Sequence, residues 1–171
     1  MTRVLFARAA RPLRRRAALA VLAVLAAVLT ASAVLLGVGL YERQEEDRRH
    51  QDILAAARQS ALNFTSLDYR HYERDSKNVL DGATGEFKQQ FAAQTTQLTK
   101  IVADNKSVSE GQILDAGIAR ADERSARVLV VADSKVTNVA APQGTSRNYR
   151  LQLDLVLEDG RWLTSNVEFV G

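Results

Sequence analysis

Residues 149–170 read YRLQLDLVLEDGRWLTSNVEFV and carry the clearest secondary-structure signal in the chain. Tyr149 and the leucines at positions 151, 153, 155 and 157 alternate with mostly polar residues. Because successive side chains of a strand point to opposite faces, this period of two predicts a strand with one buried face. Asp159-Gly160 is a preferred two-residue hairpin turn. It leads into a further strand, in which we expect Leu163, Val167 and Phe169 to continue the buried face.

Two earlier segments extend this sheet. Residues 109–121 have a weaker strand pattern in which Gly111 and Gly117 indicate bulges that bend the strand. Residues 126–138 read ARVLVVADSKVTN, a clear strand rich in valine, and the loop at residues 139–146 joins it to the next strand. The second half of the chain therefore predicts an antiparallel meander of about four strands.

The residues before the sheet have helical character. Neither proline nor glycine occurs between Leu40 and Gly82, and residues 41–66 are rich in good helix formers. The first turns of this segment show no apolar face, which indicates a solvated stalk. Later turns carry an apolar stripe with steps of three or four residues, typical of a packed helix. The stripe consists of Leu54, Ala57, Ala61, Phe64 and Leu67.

Two breaks divide the helical half into three helices. Residues 65–68 read TSLD, which has the form of a capping box and predicts a helix that restarts near Asp68. Tyr69, Tyr72 and Val79 would share one face of that second helix. Residues 81–85 read DGATG and end it, and Thr84 is placed to cap a third helix. The apolar face of the third helix consists of Phe87, Phe91, Leu98 and Val102.

Helices followed by a strand meander predict an α+β fold, with about three helices packed on a curved antiparallel sheet of about four strands. A strongly bent sheet wrapped around long helices would form a cone. The predicted organisation has four parts. They are an arginine-rich tail at residues 1–16, a transmembrane anchor at residues 17–40, a helical stalk at residues 41–66 and the main domain at residues 67–171, which shares its core with the end of the stalk.

The predicted anchor contains no charged residue over 24 positions, 17–40. A helix of that length spans about 36 Å, enough to cross the bilayer core. Six arginines and no acidic residue precede it, so the positive-inside rule places the N-terminus in the cytoplasm and residues beyond 40 outside the cytoplasmic membrane. A cleaved signal peptide is the alternative, because residues 31–33 read ASA. Cleavage there would leave an apolar new N-terminus at residues 34–40, which favours the uncleaved signal anchor.

The distribution of charge excludes a nucleic-acid-binding domain. The 171 residues have a net charge of +3, but the six arginines of the tail account for more than that surplus. The remaining 17 basic and 20 acidic residues all lie after residue 40, so the main domain is near −3. The chain has no cysteine and two histidines, His50 and His71, which are too few and too far apart for a metal set. We expect no metal, no cofactor and no nucleic-acid partner.

Several motifs, taken in order along the whole chain, resemble the Mce-associated membrane proteins of actinobacteria. They are the arginine-rich tail with one signal anchor, SLDYR at residues 66–70, VLDGATGEF at residues 79–87, VTN at residues 136–138 and DGRWL at residues 159–163. The resemblance implies an accessory or assembly subunit of a mammalian-cell-entry (Mce) system, which imports lipids or sterols. It also implies an extracytoplasmic domain with the cone fold of the steroid-isomerase superfamily, also used by a bridging component of type IV secretion machines.

That resemblance brings no catalytic residues, so only structural or interaction positions carry over. They are Asp68 and Tyr69 at the helix restart, Asp81 and Gly82 at the second break, and Gly160 and Trp162 at the final hairpin. The expected partners are the lipid bilayer, through residues 17–40, and Mce or other envelope membrane proteins.

Two other functions stay open. A cone lined by Tyr69 and Tyr72 could hold a small apolar ligand such as a lipid. An isomerase-like or hydratase-like enzyme would need a carboxylate base and a hydrogen-bond donor that converge. The adjacent pair Asp68 and Tyr69 points about 100° apart on a helix, and Asp154 falls on the polar face of its strand. Trp162 could contact a partner or cover the sheet.

Overall fold

The computed structural model describes residues 30, 32, 41 and 43–170. The chain divides into two compact units, Met1–Asp47 and Arg48–Gly171. In the first unit, residues 41 and 43–47 are helical. None of the helices in the described residues is both long and apolar enough to span a membrane. The predicted tail at residues 1–16, and the predicted anchor at residues 17–40 apart from Thr30 and Ser32, lie outside the described residues.

The second unit contains three helices and one antiparallel sheet, which confirms the predicted α+β class. The strands lie in the sheet in chain order, β1-β2-β3-β4-β5. The sheet has five strands because residues Leu67 and Asp68 pair with Ser109 and Val108 as a short first strand. Within this unit the elements are α1 (residues 48–65), β1 (Leu67–Asp68), α2 (Tyr72–Asp81), α3 (Gly85–Asp104), β2 (Val108–Ala121), β3 (Ser125–Thr137), β4 (Thr145–Glu158) and β5 (Arg161–Phe169).

The core lies between α1 and the centre of the sheet. Ile53, Ala57 and Ala61 of α1 are fully buried against alternate residues of β3 and β4. The two alanines leave room for the helix backbone to approach the sheet closely, and each buried leucine beneath contributes about 1.5–3 kcal/mol. Leu54 of the predicted stripe is half-buried and packs against this core, and Ile53, which the prediction did not include, is fully buried. The sheet residues of this core are Ala126, Val128, Val130, Leu151, Leu153 and Leu155.

A bulge in β5 overturns part of the predicted core face. Leu155 pairs with Thr164 and Asp154 with Asn166, so Ser165 is an extra residue in β5. The strict period of two does not continue through this bulge. Thr164 therefore lies on the core face opposite Leu155, and the prediction that Leu163 continues the core face was wrong.

Neither glycine of β2 is the extra residue of a bulge, contrary to the prediction. The register of β2 shifts between Ile113 and Asp115 and between Ile118 and Arg120, and neither extra residue is a glycine. Gly111 instead lies where β2 crosses the end of α1. A Cβ atom at this position would come within 2.7 Å of the Ser66 hydroxyl, so the crossing needs a residue without a side chain.

The predicted capping box does not form. The Thr65 hydroxyl donates to the carbonyl oxygen of Ala61 at 2.8 Å, and the next helix begins at Tyr72 with His71 as its N-cap. The chain does break near Leu67 as predicted, but the restart comes four residues after Asp68. The cause is that Leu67 and Asp68 are drawn into the sheet as β1.

Helix α3 differs from the other two helices in its burial. Thr84 occupies its N-cap position as predicted, although its hydroxyl donates to Glu158 instead of capping the helix. None of the 20 residues of α3 is buried. The predicted apolar face is present but only half-buried, at Phe87, Phe91, Leu98 and Val102.

Candidate functional site

Asp68 stabilises the turn between β1 and α2 through hydrogen bonds. Its carboxylate accepts hydrogen bonds from Arg70 Nε at 3.0 Å and from Arg70 Nη2 at 2.7 Å, and His71 Nδ1 lies 3.5 Å away. The Asp68 N–H donates to Asp75 Oδ2 at 3.0 Å. The Arg70 hydrogen bonds hold the pKa of Asp68 well below its usual range. A general base works best with a pKa near the working pH. The lowered pKa of Asp68 therefore favours a role as an ion-pair partner over a role as a base.

The two tyrosines beside Asp68 occupy different environments. Tyr69 is half-buried, its N–H donates to the Ser107 carbonyl oxygen at 3.0 Å, and the Arg70 guanidinium lies 5.8 Å from its ring centroid. Tyr72 is 3% exposed, and burial raises the pKa of its hydroxyl. Within the described part of the chain, the Tyr72 hydroxyl has no hydrogen-bond partner. The structure thus gathers Asp68, Tyr69 and Tyr72 at one turn without bonding either hydroxyl to Asp68.

The second helix break and the final hairpin lie against each other. Arg161 Nη2 donates to the Asp81 carbonyl oxygen at 3.0 Å. The Thr164 N–H donates to the Gly82 carbonyl oxygen at 2.9 Å, and the Thr84 N–H donates to the Thr164 carbonyl oxygen at 2.9 Å. The Asp81 carboxylate is paired with Lys77, which lowers its pKa. Two motifs about 80 residues apart in sequence therefore form one structural junction.

Gly160 and Trp162 have structural positions in this junction. Asp159 and Gly160 have φ angles of 49° and 76°, as the predicted two-residue turn requires. Trp162 is half-buried, lies opposite Leu157 and packs against the core cluster. It therefore covers the core face of the sheet. Gly82 has a φ of −94°, a conformation open to any residue, so its backbone does not require glycine.

Sequence reasoning missed two polar pairs. Thr164 is fully buried, and its hydroxyl donates to the Ser60 hydroxyl at 2.9 Å. Arg127 binds Asp154 with two hydrogen bonds of 2.7 and 3.0 Å on the opposite face of the sheet from the core, which lowers the pKa of Asp154. The register of β3 and β4 brings the second pair together, so only the strand alignment could have revealed it.

Five aromatic rings form a continuous row, which we call the aromatic row. Neighbouring ring centroids in this row are 6.1 to 6.3 Å apart. The row connects α3, α1, β5 and β4, and its member Phe169 is 64% exposed. Its members are distant in sequence, so periodicity within one element gave no signal for the group. In order they are Phe91, Phe87, Phe64, Phe169 and Tyr149.

Metal chemistry has no obvious site in the part of the chain that the structure describes. Among those residues, no three or more histidine, cysteine, aspartate or glutamate side chains cluster closely enough to hold a metal ion. The acidic side chains with the most strongly organised contacts, Asp68 and Asp154, each have an arginine partner instead.

The fold is shared with several solved structures, one of which is a periplasmic domain. The periplasmic domain of DotI superposes with a TM-score of 0.58 at 16% identity, covering 69% of this chain and 92% of that one. An IcmL-like type IV secretion system protein from Legionella pneumophila gives 0.56 at 12% identity, covering 68% and 88%. CagV, a VirB8 homologue of the type IV secretion system from Helicobacter pylori, gives 0.56 at 7%, covering 70% and 97%. At these identities the likeness shows the fold, a VirB8-like cone with a curled sheet.

Sequence similarity is closer to a mycobacterial protein. Over 130 residues the chain is 37% identical to the uncharacterized protein Rv1363c of Mycobacterium tuberculosis strain H37Rv. The match covers 76% of this chain and 50% of that protein, so the chain spans about half the length of its relative. The family model described as "Uncharacterized protein Rv1363c/MT1408-like" matches residues 15–171. The chain therefore belongs to the Rv1363c/MT1408-like family.

Proposed function

We propose that this protein is a membrane-anchored assembly factor for an Mce-type lipid or sterol importer. In this proposal a single transmembrane segment at residues 17–40 holds the domain at the outer face of the cytoplasmic membrane. The domain then acts by binding envelope membrane proteins, and the proposal assigns no catalytic step to it. The observation that carries the assembly role is the fold shared with the periplasmic domain of DotI and with two proteins whose names place them in type IV secretion systems. The Mce assignment rests on the motif resemblance alone.

The mechanism is positional. An anchor confines the domain to the membrane plane, which raises its effective concentration toward partners in the same membrane. Asp68 and Asp154 are each paired with an arginine. These pairings favour structural roles for the two carboxylates, which agrees with a protein that acts by binding. Helix α3 offers a long surface in which no residue is buried, which leaves apolar side chains available for contacts.

Affinity purification from the native envelope tests the proposal. We expect the tagged full-length protein, extracted in mild detergent after crosslinking, to recover Mce subunits that mass spectrometry identifies. An unrelated single-pass protein with the same tag and expression level is the control. Equal recovery of Mce subunits with this control, or recovery of a different envelope complex instead, would overturn the assignment to an Mce system.

The aromatic row favours a second candidate function, the binding of a small apolar ligand such as a lipid. Phe87 and Phe91 are only half-buried, so they leave apolar surface that a ligand could cover. Native mass spectrometry of the detergent-extracted protein would show a lipid-sized added mass. A matched Phe87→Ser, Phe91→Ser variant would lose that mass, whereas persistence of the mass in the variant would place the ligand elsewhere.

A further inference from the structure

Strand β4 has a stretch of edge that β5 does not cover. β4 contains 14 residues, but β5 pairs with it only from Leu151 to Glu158. The last contact is the Val170 N–H, which donates to the Arg150 carbonyl oxygen at 2.9 Å. Among the described residues, no strand lies beside residues 145–149 on this side of β4. We call these residues the open edge.

The backbone of the open edge is oriented for pairing. The Arg150 carbonyl group points toward β5, and in a strand the N–H and C=O groups of every second residue point to the same side. Ser146 and Asn148 therefore direct their backbone N–H and C=O groups away from β3 and toward the unoccupied side. Unpaired groups of this kind are the template on which an extended peptide adds a strand.

The other sheet edges are less suited to strand addition. Strand β2 has two register shifts in its pairing with β3, and bulges of this kind twist a strand away from regular pairing at its other edge. On β5, the backbone of Thr164 is already bonded to Gly82 and Thr84. The open edge of β4 is therefore the stretch in the described sheet that combines free backbone groups with regular geometry.

A groove adjoins the open edge. Its volume is 390 Å³, and it is lined by Val131, Asn148, Tyr149, Arg150, Phe169 and Val170. Several of these apolar side chains are unusually accessible, since Phe169 is 64%, Val131 39% and Val170 38% exposed. A strand added in line with β5 would lie beside Tyr149 and next to Phe169 and Val170, and apolar contacts of this kind supply the specificity that backbone pairing alone lacks.

The positive charge of the open edge favours an acidic partner segment. Arg147 and Arg150 are exposed, and within the described residues neither has an ion-pair partner. The nearby Asp133 accepts a hydrogen bond from Asn148 Nδ2 at 2.9 Å. Pairing this edge with the same edge of a second copy would bring two sets of unpaired arginines together, which is unfavourable. An acidic segment of another protein has the complementary charge.

We propose that the open edge of β4 and its groove bind an extended segment of a partner protein by strand addition. The segment carries an apolar and an acidic residue two positions apart. Because Arg147 and Tyr149 lie on one face of β4, the apolar residue opposite Tyr149 packs on Tyr149 and Phe169 while the acidic residue reaches Arg147. The inference rests on the proposed function, since it gives the assembly factor its docking surface.

Peptide binding to the full-length protein in detergent micelles tests this site. The probe is a labelled octapeptide in which every second residue is threonine and the others alternate between isoleucine and aspartate. A control peptide has lysine in place of aspartate. We expect saturable binding of the acidic peptide, by fluorescence anisotropy, with a Kd on the order of 0.1 mM, and at least about tenfold weaker binding of the lysine peptide.

Two pairs of variants separate backbone pairing from charge. Asn148→Pro removes the edge N–H but no bond to β3, so we expect about tenfold weaker binding, whereas Asn148→Ala keeps the N–H and stays within about threefold of wild type. Arg147→Glu should reverse the preference between the two peptides. Arg124→Glu, at an exposed turn between β2 and β3, should not change it.

Three outcomes would overturn the inference. The first is absence of saturable binding of the acidic peptide, and the second is equal affinity of the Asn148→Pro and Asn148→Ala variants for it. The third is a dimer, seen in sedimentation, that Asn148→Pro dissociates and Asn148→Ala does not, which would make a second copy the occupant. Failure here is distinguishable from failure of the proposed function. If wild type recovers Mce subunits and Asn148→Pro recovers them equally, the docking surface is wrong while the assembly role stands.

Discussion

Helices α1 and α3 differ sharply in how deeply they are buried. Ile53, Ala57 and Ala61 of α1 have no exposed surface, whereas none of the 20 residues of α3 is buried. Small residues let α1 lie close to the sheet, while α3 places Phe87 and Phe91 in the half-exposed aromatic row. The comparison indicates that α1 and the central strands supply most of the stability, and that α3 and the ends of β4 and β5 supply accessible apolar surface.

We expect the largest difference in stability when a leucine is replaced by alanine in the α1 core and, separately, on α3. Leu153→Ala removes a fully buried side chain from the α1 core and should lower the free energy of unfolding by about 2–5 kcal/mol. Leu98→Ala on α3 removes a half-buried side chain and should cost about 1 kcal/mol or less. Chemical denaturation of the full-length protein in one detergent measures both. Equal losses would show that α3 is as tightly packed as α1.

Two glycines of β2 test how closely the chain approaches the end of α1. Gly111→Ala places a Cβ within 2.7 Å of the Ser66 hydroxyl, and we expect a loss of about 1–3 kcal/mol. Gly117→Ala is the matched control, because no atom lies within 4 Å of its added Cβ. Thermal unfolding of the two variants measures the difference. A Gly111→Ala variant as stable as Gly117→Ala would mean that β2 and α1 do not cross so closely.

The ion pair at the β1–α2 turn predicts a pH dependence. Arg70 lowers the pKa of Asp68 in the folded state, so the stabilisation by this pair is present above the ordinary pKa of 3.8 and is lost as the pH falls below it. Asp68→Asn should therefore be less stable than wild type at about pH 6, with a difference that shrinks at about pH 3. Asp52→Asn, at an exposed position of α1, is the matched control for the loss of one carboxylate. Unfolding curves across this pH range test the sign, and a gap that grows toward low pH contradicts it.

The smallest stability change is expected at the exposed end of the sheet. Phe169 is 64% exposed, so Phe169→Ala should change the free energy of unfolding by about 0.5 kcal/mol or less. The same variant should bind the acidic octapeptide more weakly, because it loses part of the groove. A large loss of stability would identify Phe169 as a core residue, and unchanged peptide binding would remove it from the docking surface.

Local signals in the sequence were sufficient for β4 and for the hairpin at Asp159 and Gly160. Each depends on neighbours in sequence, namely the alternation of leucines and the turn geometry. The bulge at Ser165 has no such local signature, and it reversed the predicted faces of the first half of β5. Gly111 in a strand predicts a bulge, but the structure shows that glycine is needed there because β2 contacts the end of α1.

The candidate sites also divide into residues that a local sequence motif predicts and contacts that no local motif predicts. The motif residues Asp81 and Gly82 were predicted separately from Gly160 and Trp162, and the structure joins them through Arg161 and Thr164. The aromatic row and the open edge of β4 depend on register and on contacts between distant residues. No pattern within one element could have revealed them.

Replacement of the proposed anchor tests the central claim most directly. In this experiment, residues 1–40 are exchanged for a cleavable signal peptide, so that the domain is exported but released from the membrane, and lipid or sterol uptake is measured in cells that lack the native gene. A matched chimera carries an unrelated transmembrane segment in place of residues 17–40. If the domain acts by its position in the membrane, the released domain loses uptake although it is folded and abundant, and the chimera restores it. Full uptake with the released domain would contradict this account.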